Sequence, residues 1–131
     1  MTEVLLVGEE SLREELFAYE NARRALSAYE LREPYRNALA LDTVSLGAAV
    51  SLLNDLDWYL ARATDDAAIK EPSVDSSVYL SRDLAAAVRD ERGEVGESER
   101  VRVYESEDGL LVNPETYPRG EAPAGALSIR I

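Results

Sequence analysis

A chain of 131 residues has the length of one domain, and its 46% apolar content is ordinary for a globular fold. It holds no cysteine and no histidine. That excludes disulfides, thiolate chemistry, Ser-His-Asp and Cys-His catalysis, and metal sites built on those ligands. The 26 acidic residues outnumber the 14 basic ones for a net charge of −12, and Lys70 is the single lysine.

The acids are spread along the whole chain and are not gathered in a tail. Dispersed acidity with almost no lysine is the pattern of a protein built for molar salt, where the Debye length is about 3 Å and self-repulsion is screened. The net charge is therefore read as a solvent signature, and not as evidence for a basic partner. No basic stripe or nucleic-acid motif is present. No basic, apolar leader opens the chain, and no run approaches the length of a membrane span. The expectation is a cytoplasmic protein with no nucleic-acid and no membrane partner.

In chain order, residues 3–7 (EVLLV) form a short apolar run ended by Gly8, the pattern of a buried strand. Ser11 and Glu14 have capping-box spacing ahead of a helix carrying Leu12, Leu16, Tyr19, Ala22 and Leu26 on one face. Arg23 intrudes on that face, which predicts a break near residues 19–21. Glu9–Arg13 and Glu20–Arg24 are spaced for ion pairs. Residues 29–33 and 37–41 are short strand candidates.

Residues 44–62 (VSLGAAVSLLNDLDWYLAR) are the longest periodic run and predict the central helix, capped by Asp42 or Thr43. Leu46, Ala49, Val50, Leu53, Leu56 and Leu60 share its apolar side, and Ser51, Asn54, Asp55 and Arg62 form a thin polar stripe. Two residues break the pattern. Asp57 projects on the apolar side, where a carboxylate needs a partner or a shifted pKa. Either the helix end emerges there, or an arginine pairs with it, or it marks a site. Trp58 projects on the polar side, as a lid over another element or as a ligand platform.

Residues 67–70 read as a strand, and 75–77 as a turn. Ser81 caps a helix that ends near residues 92–93, followed by an acidic loop at 94–99. Val101 and Val103 alternate with charges, Asp108-Gly109 is a turn, and residues 110–112 return as a hairpin. Residues 113–125, with three prolines and two glycines, are expected to be an irregular connection. Residues 126–131 alternate and predict a last edge strand.

Residues 1–131 thus form a single α+β domain, with a small mixed sheet packed on about three helices. A compact α/β arrangement is the alternative. Gly8 before a helix is half of a phosphate-binding turn, but no Gly-rich signature follows, and Glu9 and Glu10 would repel an anion. Calcium-loop spacing is absent, and no metal or cofactor is expected. Lys70 beside Glu71 reads as an exposed ion pair.

The central run, the following KEPSV and YLSRDLAAAVRDE, and the LREP ahead of them resemble an uncharacterised family of small acidic proteins of halophilic archaea, over residues 4–91. The resemblance implies a source and a compartment. It implies no activity and supplies no catalytic residues. From the residues themselves, the expected function is a non-catalytic accessory or regulatory protein that associates with another protein or with itself as a homodimer. The alternative is a small carboxylate-dependent hydrolase or small-ligand enzyme centred on Asp57. Candidate binding residues are Ser51, Asn54, Asp57, Trp58 and Arg62.

Overall fold

The four apolar residues Val4 to Val7 have no polar face to turn to water, so their strand must be covered on both sides. In the computed structural model, which describes residues 1–91 and 100–131, they lie in β1 (Thr2–Gly8), and all four are buried. On either side of β1, β2 (Ala38–Thr43) and β3 (Thr64–Lys70) pair with it antiparallel. The sheet continues through β4 (Tyr79–Ser81), β7 (Leu127–Arg130), β5 (Arg100–Glu107) and β6 (Leu110–Pro118). Its order is β2-β1-β3-β4-β7-β5-β6, and among the described residues only the β4–β7 pair is parallel.

Seven strands make a larger sheet than the small one the sequence suggested. The helix count is roughly as expected, with five short helices among the described residues: α1 (Leu12–Phe17), α2 (Glu20–Leu26), α3 (Leu46–Asp55), α4 (Asp57–Ala63) and α5 (Arg82–Arg89). The mixed α+β class stands. The helix end expected at 92–93 and the acidic loop at 94–99 lie outside the described residues.

Strand alternation sorts the side chains into two cores. Val4, Leu6, Leu39, Leu41, Ile69 and Leu80 pack against Leu12, Leu16, Leu26, Val50, Leu53 and Leu60 of the helices. On the other face, Leu5, Val7, Ala38, Ala40 and Ala68 meet Tyr104, Leu111, Leu127 and Ile129. These last four belong to β5, β6 and β7, so the sheet rolls until its far strands cover its own second face. The roll is fastened where the Asn37 side chain meets Leu111. Its amide donates to the Leu111 carbonyl at 2.9 Å, and its oxygen accepts the Leu111 N–H at 2.9 Å.

The C-terminal hairpin forms as expected. Asp108 (φ 53°) and Gly109 (φ 79°) supply the two positive φ angles of a two-residue turn matched to strand twist. Two expectations beyond it are corrected. Residues 113–118 are not irregular but continue β6, and Pro114 is tolerated because β6 is an outer strand that needs no ladder bond on one side. Residues 127–130 do form a strand, but it lies between β4 and β5 and not at an edge.

Local signals fared unevenly. The break near residue 19 is real: α1 ends at Phe17 and α2 starts at Glu20. Ser11 makes no capping bond from its side chain, and Arg13 pairs with Glu33, not with Glu9. Arg24 does pair with Glu20. Residues 29–33 yield only a bridge from Arg32 to Ala40. The cap before α3 is Ser45, whose hydroxyl accepts the Ala48 N–H, while Asp42 and Thr43 belong to β2. Ser81 caps α5 by accepting the Leu84 N–H, and Asp75 accepts from Ser77 and Val78 to make the expected turn. Gly8 is explained by packing: a Cβ there would stand 2.7 Å from the Ala63 carbonyl oxygen.

Candidate functional site

The run 44–62 is not one helix. It divides at Leu56 (φ −91°, ψ 1°) into α3 and α4. A straight helix would carry Asp57 into the core beside Val50 and Leu53. The break keeps Leu56 buried, turns Leu60 inward, and swings Asp57 out to the first position of α4, where a carboxylate favours the N-terminal helix dipole. The Asp57 side chain is 67% exposed, not on an apolar face.

The five candidate residues separate into two groups and a remainder. Asn54 and Asp57 converge on Arg82 of α5, which donates one nitrogen to Asp57 at 2.5 Å and another to the Asn54 oxygen at 3.0 Å. The arginine partner considered for Asp57 therefore exists. Trp58 and Arg62 form the second group. The Arg62 guanidinium lies 3.5 Å from the Trp58 ring centroid and donates to the Trp58 carbonyl at 2.7 Å. Ser51 is exposed on α3, apart from both.

Trp58 is the centre of an aromatic triangle. Its ring meets Tyr19 edge-on at 5.4 Å and Tyr59 at 5.2 Å, and Tyr19 and Tyr59 are themselves 5.2 Å apart. Spacings this short leave no room for a ligand between the rings, and Arg62 already covers one indole face. Trp58 nevertheless remains 50% exposed, so it lies over the α1–α2 junction as a lid and still presents an edge outward.

A cleft of about 730 Å³ opens on the other side of α4. Leu60 and Ala61 of α4, residues 64–67 of β3, residues 81–84 at the start of α5, Arg102 of β5 and Ile131 line it. Asp57 stands at its rim. At its floor Asp66, whose side chain is only 12% exposed, accepts from Arg102 and from the Tyr104 hydroxyl. None of these three was found by sequence reasoning. The one usable signal was parity: Asp66 shares a strand face with Ala68, which packs in the second core.

Two largely buried hydroxyls are electrostatically unusual. Burial, and then the Asp66 carboxylate, raise the Tyr104 pKa well above the ordinary phenol value. Burial and Glu3 do the same for Tyr79, whose ring also carries Lys70 Nζ at 5.0 Å. The lone lysine is thus held over an aromatic ring. A raised tyrosine pKa favours the folded state while the unfolded tyrosine stays protonated, and the benefit is lost as pH rises past about 10. Denaturant midpoints should therefore hold up to pH ~10 and then fall. The fall should be shallower in the Tyr79→Phe, Tyr104→Phe double variant. Equal steepness in the two proteins would contradict this account.

Among the described residues no group of three or more acidic ligands is placed to hold a metal ion, and no helix is long and apolar enough to cross a membrane. The fold and these surfaces define a rolled, mixed-sheet α+β domain with an aromatic lid on one side of α4 and a charged cleft on the other. The chain belongs to the family of unknown function DUF5804, whose profile matches residues 2–105. No curated protein matches it, and no solved structure does.

Proposed function

We propose that this protein is a non-catalytic accessory or regulatory protein that acts by association, with another protein or with a second copy of itself, in the high-salt cytoplasm of a halophilic archaeon. The observation that carries this reading is Trp58. A half-exposed tryptophan held rigid by two tyrosines and an arginine loses little conformational freedom on binding, and tryptophan, tyrosine and arginine are the residues that dominate interface energies. The source and compartment are supported by the dispersed acidity and the single lysine.

The outer sheet edges direct association toward the helical layer. The edge of β2 is bridged by Arg32, which exchanges two backbone bonds of 2.8 Å with Ala40. The edge of β6 carries Pro114 and Pro118. Both devices oppose edge-to-edge pairing.

Size-exclusion chromatography with light scattering in roughly 2–4 M KCl, where charge repulsion is screened, tests the self-association form. The expected result is a dimer that Trp58→Ala shifts toward monomer by about tenfold or more in Kd, the effect of a hot-spot side chain. A strict monomer removes the self-association form. A monomer that also draws no partner through Trp58 from the native high-salt cytoplasm removes the whole reading. The competing reading, a hydrolase or small-ligand enzyme centred on Asp57, asks for that carboxylate at the floor of a pocket. Asp57 instead stands at the rim, bound to Arg82, which supports that reading less.

A further inference from the structure

Strand β3 is paired along one side only. Toward β1 its residues pair from Thr64 to Lys70, with Asp65 left over as the extra residue of a bulge. Toward β4 only Ala68 and Ile69 do. The reason is local: Ser81 ends β4 and at once caps α5, so the chain leaves the sheet beside the first half of β3. Residues 64–67 therefore present a strand edge to the cleft, on which the Thr64 N–H is already given to the Leu60 carbonyl and residues 65–67 are left open. A strand edge offers N–H and C=O groups to any extended chain that can reach it. The two outer edges of this sheet are blocked by Arg32 and by prolines. This inner one has no bridge and no proline.

The lining restricts what can enter. Both arginines of the cleft already hold carboxylates, Arg82 on Asp57 and Arg102 on Asp66. Asp65 and Asp83 are exposed at the mouth with no partner among the described residues. An anionic segment would meet two free carboxylates and no free cation. We propose that the cleft takes an extended, arginine- or lysine-bearing segment of a partner protein as an added strand on residues 65–67 of β3. Its basic side chains pair with Asp65 and Asp83, and alternate apolar ones reach Leu60, Leu84 and Ile131. The overall acidity of the chain says nothing about this partner; the open edge and the occupied arginines do. The site is separate from the Trp58 surface, and either can fail without the other.

The test uses the full chain at the lowest salt at which it stays folded. A fluorescent peptide alternating arginine and valine is titrated by anisotropy beside its glutamate-for-arginine counterpart, and amide hydrogen exchange is followed with and without the arginine peptide. Three results are expected together. The arginine peptide binds at least about tenfold tighter than the glutamate peptide. Amides at 65–67 gain protection when it binds. The Asp65→Asn, Asp83→Asn double variant, altered only at exposed side chains, weakens it by about fivefold or more. No binding, equal binding of the two peptides, binding that leaves amides 65–67 unprotected, or binding indifferent to the double substitution would each overturn the proposal.

Discussion

Replacing Asn37 by alanine is expected to cost about 3 kcal/mol, because it strands two buried backbone groups at once and each unsatisfied group costs about 1–3 kcal/mol. Asn37 is 8% exposed, and its carboxamide imitates a strand residue: it gives one hydrogen bond to Leu111 and takes one back, across 74 positions of sequence. Leu111 is itself buried, so its N–H and carbonyl are shielded from bulk water. Asn37→Asp should do no better, since a carboxylate keeps the acceptor, loses the donor, and sets negative charge against the Leu111 carbonyl. Chemical denaturation at neutral pH measures the loss, and hydrogen exchange should show β6 opening before β1. A cost below about 1 kcal/mol, the net value of one ordinary hydrogen bond, would mean that the roll is fastened elsewhere.

Leu56→Ala is expected to cost a further amount of the same order, about 3 kcal/mol, the middle of the range for a fully buried leucine. Leu56 is buried and sits at the joint of α3 and α4. The amides of Tyr59 and Leu60 both donate to its carbonyl at 2.9 Å. Its side chain pulls the joint into the core and so determines which way α4 faces. Leu56→Met keeps the volume and should cost less than about 1.5 kcal/mol. Because α4 carries Trp58, the alanine variant should also loosen the aromatic triangle and shift the tryptophan emission, whereas the methionine variant should leave it in place. Emission unchanged in both would mean that Trp58 is held by Tyr19 and Tyr59 alone.

What could be read from the sequence was what is encoded locally. The apolar run of β1, the Asp108-Gly109 turn, the Ser81 cap and the interruption near Tyr19 each depend on residues within a few positions of one another, and each is present. Membership in a family of unknown function was legible too: the recognised stretch, residues 4–91, lies within the matched 2–105.

The failures have three physical sources. Asp57 was misplaced because a periodicity argument assumes an unbroken helix, and one residue in a non-helical conformation rotates everything after it. The stretch 113–118 was misread because proline and asparagine are poor strand formers in general but acceptable on an outer strand, which is a fact about neighbours and not about the segment. Strand β7 looked like an edge because Ser128 and Arg130 alternate with Leu127 and Ile129. Only the complete sheet shows β4 on one side and β5 on the other. The cleft floor was invisible for the same reason: Asp66, Arg102 and Tyr104 come together only through the roll.

The interior place of β7 bears on how this chain can be divided and assembled. Among the described strands only this one joins the sheet formed by β2, β1, β3 and β4 to the β5–β6 hairpin, and it comes after all of them in sequence. A fragment cut after residue 105, where the family match stops, would lose β6 and β7 together, with the buried Leu111 and Ile129 among the losses. The recognisable region therefore lacks two of the seven strands described in the sheet. During synthesis the earlier strands must wait, their inner edges open, until residues 127–130 have emerged to close the gap.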